Sequence, residues 1–454
     1  MKLKSFLAKE VFGYLNFDFK FETDISLLVG VNGSGKTTAL RLIQALLTPS
    51  FKDLFTIEFT VTELVFEENG LTVIISAKKN EDTLLLTAST VDEYLDIPVI
   101  DRDELDYILS NEKRGSEYFQ ELQLRYSDNP VFDYITTINV PVFLGLDRTY
   151  RNEGDSPSEY YYERERMIVS SQRRGMRAKR IIKGSLAAGL METQILIQEA
   201  FRKFRRIQDK QTERLRETIL LSSFHYSDFS FLEQQPDSLF PSWMEQTQFL
   251  ERKTEINAAL ENIGLKGDKI QRVLDDFFKR LDNLFKSVND SQESKSFSVE
   301  WILNKAQIDR VTDLIEIIDS HKSKMDRVFT PITMFLNSVN SFYKDTGKEL
   351  TLDSVGQLGI KRPDGKTAPI EALSSGERQL LIIFAHLIFN EYGSRSNIFI
   401  IDEPELSLHL IWQEQFLEKA IEVSPNTQLV LATHSPEIVG EYKDRCISVG
   451  GLER

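Results

Sequence analysis

The rhythm of hydrophobic and polar positions changes three times along the chain. Residues 2–29 alternate around turn residues (FLAKEVFGYLNFDFKFETDISLLVG), which predicts two or three strands, and an apolar-faced helix follows, ending near Leu47. The stretch TIEFTVTELVFEENGLTVIISAKKNEDTLLLTAS alternates again and predicts three strands. Asn69-Gly70 marks one hairpin turn and the polar run 79–82 a second. These strands form an antiparallel layer over the first part of the chain. Residues 102–126 are charged and helical in pattern, and NVPVFLGLDRTYR (139–151) reads as a buried strand with a polar exit.

From about 157 to 342 the period lengthens to that of helices. Between 268 and 288, Ile270, Val273, Leu274, Phe277, Phe278, Leu281, Leu284, Phe285 and Val288 recur every three or four residues. A second run carries Val311, Leu314, Ile315, Ile318, Met325, Val328, Phe329 and Ile332, and a third spans 186–220. Pro236 and Pro241 mark a turn or tip between helices. No strict heptad persists, so an antiparallel hairpin or small bundle is expected rather than a long regular coiled coil. From 350 come an Asp364-Gly365 turn, an apolar helix over 380–389, and continuous apolar strands at 398–401 and 429–432. The expected organisation is 1–150 and 345–454 as the two parts of one α/β unit, with 151–344 inserted between them.

At 454 residues the chain exceeds one compact core, and 41% hydrophobic with 28% charged residues fits a soluble globular protein. No apolar run approaches the roughly 18 to 20 residues of a membrane span, and charges interrupt the N-terminus too early for a signal peptide, so a cytoplasmic location is expected. Cys446 is the only cysteine, which excludes an internal disulfide. His225, His321, His386, His409 and His434 lack the i, i+4 pairing of a zinc helix. The formal net charge of −15 argues against a wholly phosphate-coated surface, yet residues 164–216 hold 15 Lys or Arg against 5 Asp or Glu. Arg173, Arg174, Arg177, Lys179, Arg180 and Lys183 are its densest part. That run reads as a solvated helix face, a surface for an acidic protein, or one for nucleic-acid phosphate.

Candidate chemistry concentrates at three places. GVNGSGKTT fits G-x-x-x-x-G-K-[ST] between a strand and a helix, where glycines let backbone amides converge on phosphate oxygens. Asn32, Gly33, Ser34, Gly35, Lys36, Thr37 and Thr38 are its phosphate-facing residues; Lys36 reaches the β- and γ-phosphates and Thr37 completes a Mg²⁺ shell. Ser374, Ser375, Gly376 and Glu377 precede an apolar helix, either as a capping box or as a second anion-binding surface. Asp402 and Glu403 end an apolar strand, where open α/β sheets bind ligands; Asp402 suits Mg²⁺ and Glu403 suits polarising an attacking water. A third apolar strand delivers His434 to the same edge.

The ordered set GVNGSGKTT, LSSGE, IFIIDEPE and ATHSP resembles the ABC-type P-loop ATPase head of the SMC and RecF class, over about 1–150 and 345–454. The resemblance implies an α/β fold, a mixed sheet with an antiparallel β layer, interrupted by an α-helical hairpin or bundle. It implies ATP and Mg²⁺ as cofactors, with Lys36, Thr37 and Asp402 on phosphate and metal, Glu403 as catalytic base and His434 as γ-phosphate sensor. It also implies a homo-oligomer, a dimer or a multiple of one, in which Ser374, Ser375, Gly376 and Glu377, at the place of the family's signature segment ahead of its helix, contact nucleotide held by a second copy. Ser375 and Glu377 stand where transporters usually have Gly and Gln, and the family's glutamine loop has no match after the strand at 140–146. The insertion and the EPELSLHLIWQ and THSP phrasing resemble stand-alone ATPases of bacterial anti-phage systems, the PARIS type (AriA) before the Septu type (PtuA), and the ATPase part of OLD nucleases. That implies control of a separate effector, a TOPRIM nuclease, with an acidic phage protein or DNA at the basic helices. The alternative is a RecF-like DNA-repair ATPase; a transporter subunit fits poorly.

Overall fold

The structure, a computed structural model, describes residues 1–145, 186–222, 299–389 and 397–450, with short stretches between 253 and 286. It divides into two compact units, Met1–Ala200 with Thr333–Arg454, and Phe201–Ile332. Among the described residues no helix is long and apolar enough to cross a membrane.

The first unit, the head, is built on a five-stranded parallel sheet of order β14-β3-β13-β12-β8. Its strands are β3 (Ile25–Val29), β8 (Val142–Leu144), β12 (Ile398–Asp402), β13 (Gln428–Thr433) and β14 (Cys446–Ser448). Every residue of β12 and β13 is buried, as parallel strands covered on both faces require. The two ends of the chain meet in this sheet, with Leu429 opposite Ile25 and Thr433 opposite Val29. Side chains alternate between two cores: Leu28, Ile398, Ile400, Val430 and Ala432 enter one, and Leu27, Phe399, Ile401, Leu429 and Leu431 the other.

The first core lies under a six-stranded antiparallel sheet of order β2-β1-β4-β5-β6-β7, comprising β1 (Lys2–Val11), β2 (Leu15–Lys20), β4 (Val61–Glu68), β5 (Leu71–Lys79), β6 (Thr83–Ala88) and β7 (Tyr94–Pro98). Its Phe6, Phe17, Phe19, Leu64, Phe66 and Ile75 share that core with Leu40, Ile43 and Leu47 of the helix Lys36–Leu47. Asn69 and Gly70 both adopt positive φ, 52° and 81°, and close the β4–β5 hairpin as the sequence suggests. Buried Gln428 ties the layers together: its Oε1 accepts from the Leu3 amide at 2.8 Å, and its Nε2 donates to the Leu3 and Glu22 carbonyls at 2.9 and 2.6 Å.

The second core holds the helices Ser375–Phe389 and Leu410–Val423, with Phe384, Trp412 and Phe416 in one cluster with Phe342 and Tyr343 at the end of the helix Val299–Tyr343. A small antiparallel sheet of order β11-β10-β9 (β9 Glu349–Leu352, β10 Leu358–Lys361, β11 Thr367–Pro369) connects the helix Val299–Tyr343 to the helix Ser375–Phe389, and Gly365 (φ 78°) turns β10 into β11. Sequence patterning located only that turn.

Other departures from the sequence expectation have local causes. The charged stretch 102–126 forms two helices, Arg102–Leu109 and Glu112–Arg125, because Asn111 caps the second by accepting from the Arg114 amide. The strand expected over 139–151 is three residues long and ends at Gly145, whose φ is 90°. The second unit takes the C-terminal part of the 37-residue helix Leu186–Ser222 and the N-terminal part of the 45-residue helix Val299–Tyr343, and in it the rings of Phe204 and Phe329 stand 4.9 Å apart. The turn around Pro236 and Pro241, the strand's exit after 145, the basic residues 164–185 and most of the 268–288 run lie outside the described residues.

Candidate functional site

The loop 30–35 leaves β3 and enters the helix Lys36–Leu47. Gly33 and Gly35 take φ of 80° and 93°, and a Cβ on Gly35 would stand 2.7 Å from the Phe17 ring. Glycine is therefore required for both conformation and space. A Cβ on Gly30 would stand 2.5 Å from the Val449 carbonyl, so the chain after β14 backs the loop closely. Ser34 is buried, and its Oγ has no hydrogen-bond partner among the described residues. A buried polar atom in a glycine cradle beside a helix N-terminus fits an anionic ligand such as phosphate.

Lys36 is 4% exposed. Its Nζ donates to the Gly30 carbonyl at 2.9 Å and lies 2.7 Å from His434 Nε2. Burial lowers its pKa from the ordinary lysine value, while Glu403, Asp402 and Glu405 pull it back up. Thr37 Oγ1 donates to Asp402 Oδ2 at 2.8 Å. These two hard oxygens are a protein donor set that suits Mg²⁺, which keeps most of its shell for water and phosphate. Glu403 has a φ of 49°, rare for a non-glycine residue, and its amide donates to the Ala432 carbonyl at 2.7 Å. Its Oε1 stands 4.0 Å from His434 Nε2.

A cleft of about 300 Å³ collects residues 32–38, Glu403 and His434. Its wall also includes Phe12 and Tyr14 from the turn between β1 and β2, and Leu15 at the start of β2. The sequence pattern gives these three no part in the site. The signal for them is Gly13 between two aromatics, a break in alternation that leaves Phe12 at φ 52° and Tyr14 71% exposed.

The signature segment is elsewhere: Ser374, Ser375, Gly376 and Glu377 do not line this cleft. Ser374 and Ser375 are exposed, whereas Glu377 turns inward. Its Oε2 accepts from the Ser374 amide at 2.7 Å, and Ser374 Oγ from the Glu377 amide at 3.4 Å, the reciprocal bonds of a capping box. Lys348 Nζ donates to both Glu377 oxygens at 2.9 and 2.8 Å. A Cβ on Gly376 would stand 2.3 Å from the Ser407 carbonyl, so the signature helix is packed against the loop after β12. Sequence reasoning also missed Glu405 in that loop, whose carboxylate bonds Thr433 and His434.

A family model described as AAA ATPase domain (AAA_15) matches residues 1–439. Endonuclease GajA of Bacillus cereus (strain VD045) is 26% identical over 235 residues, 45% of this chain and 40% of the relative. The Retron Vc95 probable ATPase of Vibrio cholerae serotype O1 biovar El Tor is 25% identical over 192 residues, 36% of this chain and 35% of the relative. The chain thus aligns with less than half the length of either curated relative. The solved Smc head domain with an extended coiled coil, bound to the C-terminal domain of ScpA and derived from Pyrococcus furiosus, is 13% identical, with 98% of this chain and 93% of that one covered at a TM-score of 0.38.

Proposed function

The chain belongs to the AAA ATPase domain family, and on that premise we propose that it binds and hydrolyses ATP with Mg²⁺ as the regulatory subunit of a bacterial anti-phage complex that controls a separate effector nuclease. The observation that carries the ATPase reading is the convergence of the glycine loop, Lys36, Thr37, Glu403 and His434 on one cleft, with Asp402 bonded to Thr37 at its edge. The loop amides and Lys36 bind the phosphates, with Lys36 exchanging its bond to the Gly30 carbonyl for phosphate oxygens. Phe12 and Tyr14 offer an aromatic wall for the base. Thr37 and Asp402 are the residues that would hold Mg²⁺, which supplies charge neutralisation at the transferring phosphate when bound. Glu403 takes the proton of the attacking water, and His434 donates to the γ-phosphate.

The defence reading is supported by the resemblance of EPELSLHLIWQ and THSP to stand-alone defence ATPases, and by an endonuclease and a retron ATPase among the relatives. The finer placement, a PARIS-type ATPase ahead of a Septu-type one with a TOPRIM effector, rests on the general look of the sequence. Exposed Ser374 and Ser375, away from the cleft, suit contact with nucleotide on a second copy. The test mixes Lys36→Ala protein with Ser374→Arg protein. Each alone should be inactive, and the mixture should regain phosphate release through one intact composite site; no recovery at any ratio, with both proteins folded, contradicts a shared site.

A RecF-like DNA-binding ATPase is the second reading. Arg202, Arg206, Lys210 and Arg214 are exposed and spaced by four on the helix Leu186–Ser222, one stripe fitted to a polyanion. Reversing the four to Glu should leave head turnover intact. Duplex binding that is lost in this variant, and that weakens with salt at a log–log slope of about −0.9 per phosphate contacted, favours the second reading. Loss of a protein partner without any duplex binding favours the first.

A further inference from the structure

We infer that Glu405 is a positioning residue for turnover: its carboxylate fixes the backbone that carries His434, and with it the place of the imidazole in the cleft. The inference rests on the role proposed above for His434. β13 pairs with β3 up to Thr433, opposite Val29, so the His434 amide emerges just beyond the ladder. A backbone donor in that position needs another acceptor. Glu405 supplies it: Oε1 accepts from the His434 amide at 2.6 Å, and Oε2 from Thr433 Oγ1 at 2.9 Å. An ionised carboxylate suits the task because it only accepts and has two oxygens, one for each donor.

The bonds continue past the histidine. Thr433 Oγ1 accepts from the Ser435 amide at 3.0 Å, and Ser435 Oγ from the Ile438 amide at 3.2 Å. His434 is thus held through its main chain on both sides, with its ring toward Lys36 at 2.7 Å and Glu403 at 4.0 Å. Glu405 is itself restrained, since its carbonyl accepts from the Leu408 amide at 2.9 Å and the preceding Pro404 carbonyl accepts from Gln379 Nε2 at 3.0 Å. Gln379 lies on the signature helix, so that helix and the histidine are connected through this loop. Glu403 and Glu405, two residues apart, divide the work: the first faces the cleft, the second the backbone behind it.

The test measures ATP affinity and turnover in Glu405→Ala, Glu405→Gln, His434→Ala and the Glu405→Ala/His434→Ala double variant. Glu405→Ala should lower kcat roughly tenfold to a hundredfold, the scale expected when a reacting group is misplaced, with ATP affinity near wild type. Glu405→Gln keeps an oxygen for the amide and a polar group for Thr433, and should recover most of that loss. Removing Glu405 in the His434→Ala background should change kcat no further, because its effect passes through the histidine. Equal losses in both backgrounds, or a wild-type kcat in Glu405→Ala, overturn the inference. Wild-type turnover in His434→Ala overturns the histidine's proposed role and this inference with it, whereas a loss in His434→Ala with additive loss from Glu405→Ala overturns the inference alone. If the alanine variants melt early, Glu405→Asp, whose shorter side chain draws the carboxylate back from both donors, carries the comparison in the same two backgrounds.

Discussion

Glu403 and Glu377 are glutamates of the same head placed in opposite situations. Glu403 leaves the end of β12 at a φ of 49°, partly exposed, and faces His434 across a cleft. Glu377 sits in the first turn of the helix Ser375–Phe389 with its side chain 1% exposed, bonded by Lys348 and by the Ser374 amide. The difference teaches that an acidic residue beside a loop is left available for chemistry only when the backbone aims it at open space. Where a lysine and an amide take up its oxygens it is a structural cap. The signature serines are then what this segment displays, and Glu377 holds them in place.

The largest effect expected of this contrast is on turnover. Glu403→Gln should lower phosphate release by roughly 10²–10⁴, the usual contribution of a positioned base, while the melting temperature stays near wild type. A variant that loses stability in step with activity would break the comparison. Glu377→Ala should behave the other way. It removes the acceptor of the Ser374 amide and of half-buried Lys348, and denaturant melts should show a loss of about 1–3 kcal/mol, the range for hydrogen bonds left unmade.

A smaller effect sharpens the same contrast through pH. Burial alone would raise the Glu377 carboxyl, but its bonds from Lys348 and Ser374 outweigh that and hold its pKa below the ordinary glutamate value. A carboxylate depressed in the folded state contributes stability that is fully present above the unfolded pKa, ~4.3, and is lost as pH falls through the lower folded value. The stability gap between wild type and Glu377→Gln should therefore be widest near neutrality and narrow below about pH 4. A gap that is constant from pH 7 to 3.5 would mean the charge on Glu377 contributes nothing.

Legibility in the sequence followed the range of the physics. β12 and β13 were visible because a strand buried on both faces must be apolar throughout, and Asn69-Gly70 because a positive-φ pair is a local requirement. The phosphate loop was visible for the same reason: its glycines are demanded within a few residues. Partnerships between distant residues were not. Nothing near Glu377 indicates that Lys348 will reach it, and nothing near Glu405 indicates that strand β13, ending 28 residues later at Thr433, will deliver two donors to it. β14 beside β3 and the short β7, with Pro98 at its end, also depend on neighbours that no local pattern encodes. Gln428 is the clearest instance, a polar residue in an apolar run whose reason is the backbone of Leu3 and Glu22 at the far end of the chain.

The central claim, that this cleft holds ATP and that Glu403 starts its hydrolysis, is tested most directly by incubating the Glu403→Gln protein with ATP and Mg²⁺, removing free nucleotide and identifying what remains bound. The account predicts intact ATP retained on the protein, and none retained on Lys36→Ala treated alike. Recovery of ADP from Glu403→Gln at the wild-type rate, or equal retention by Lys36→Ala, would contradict it.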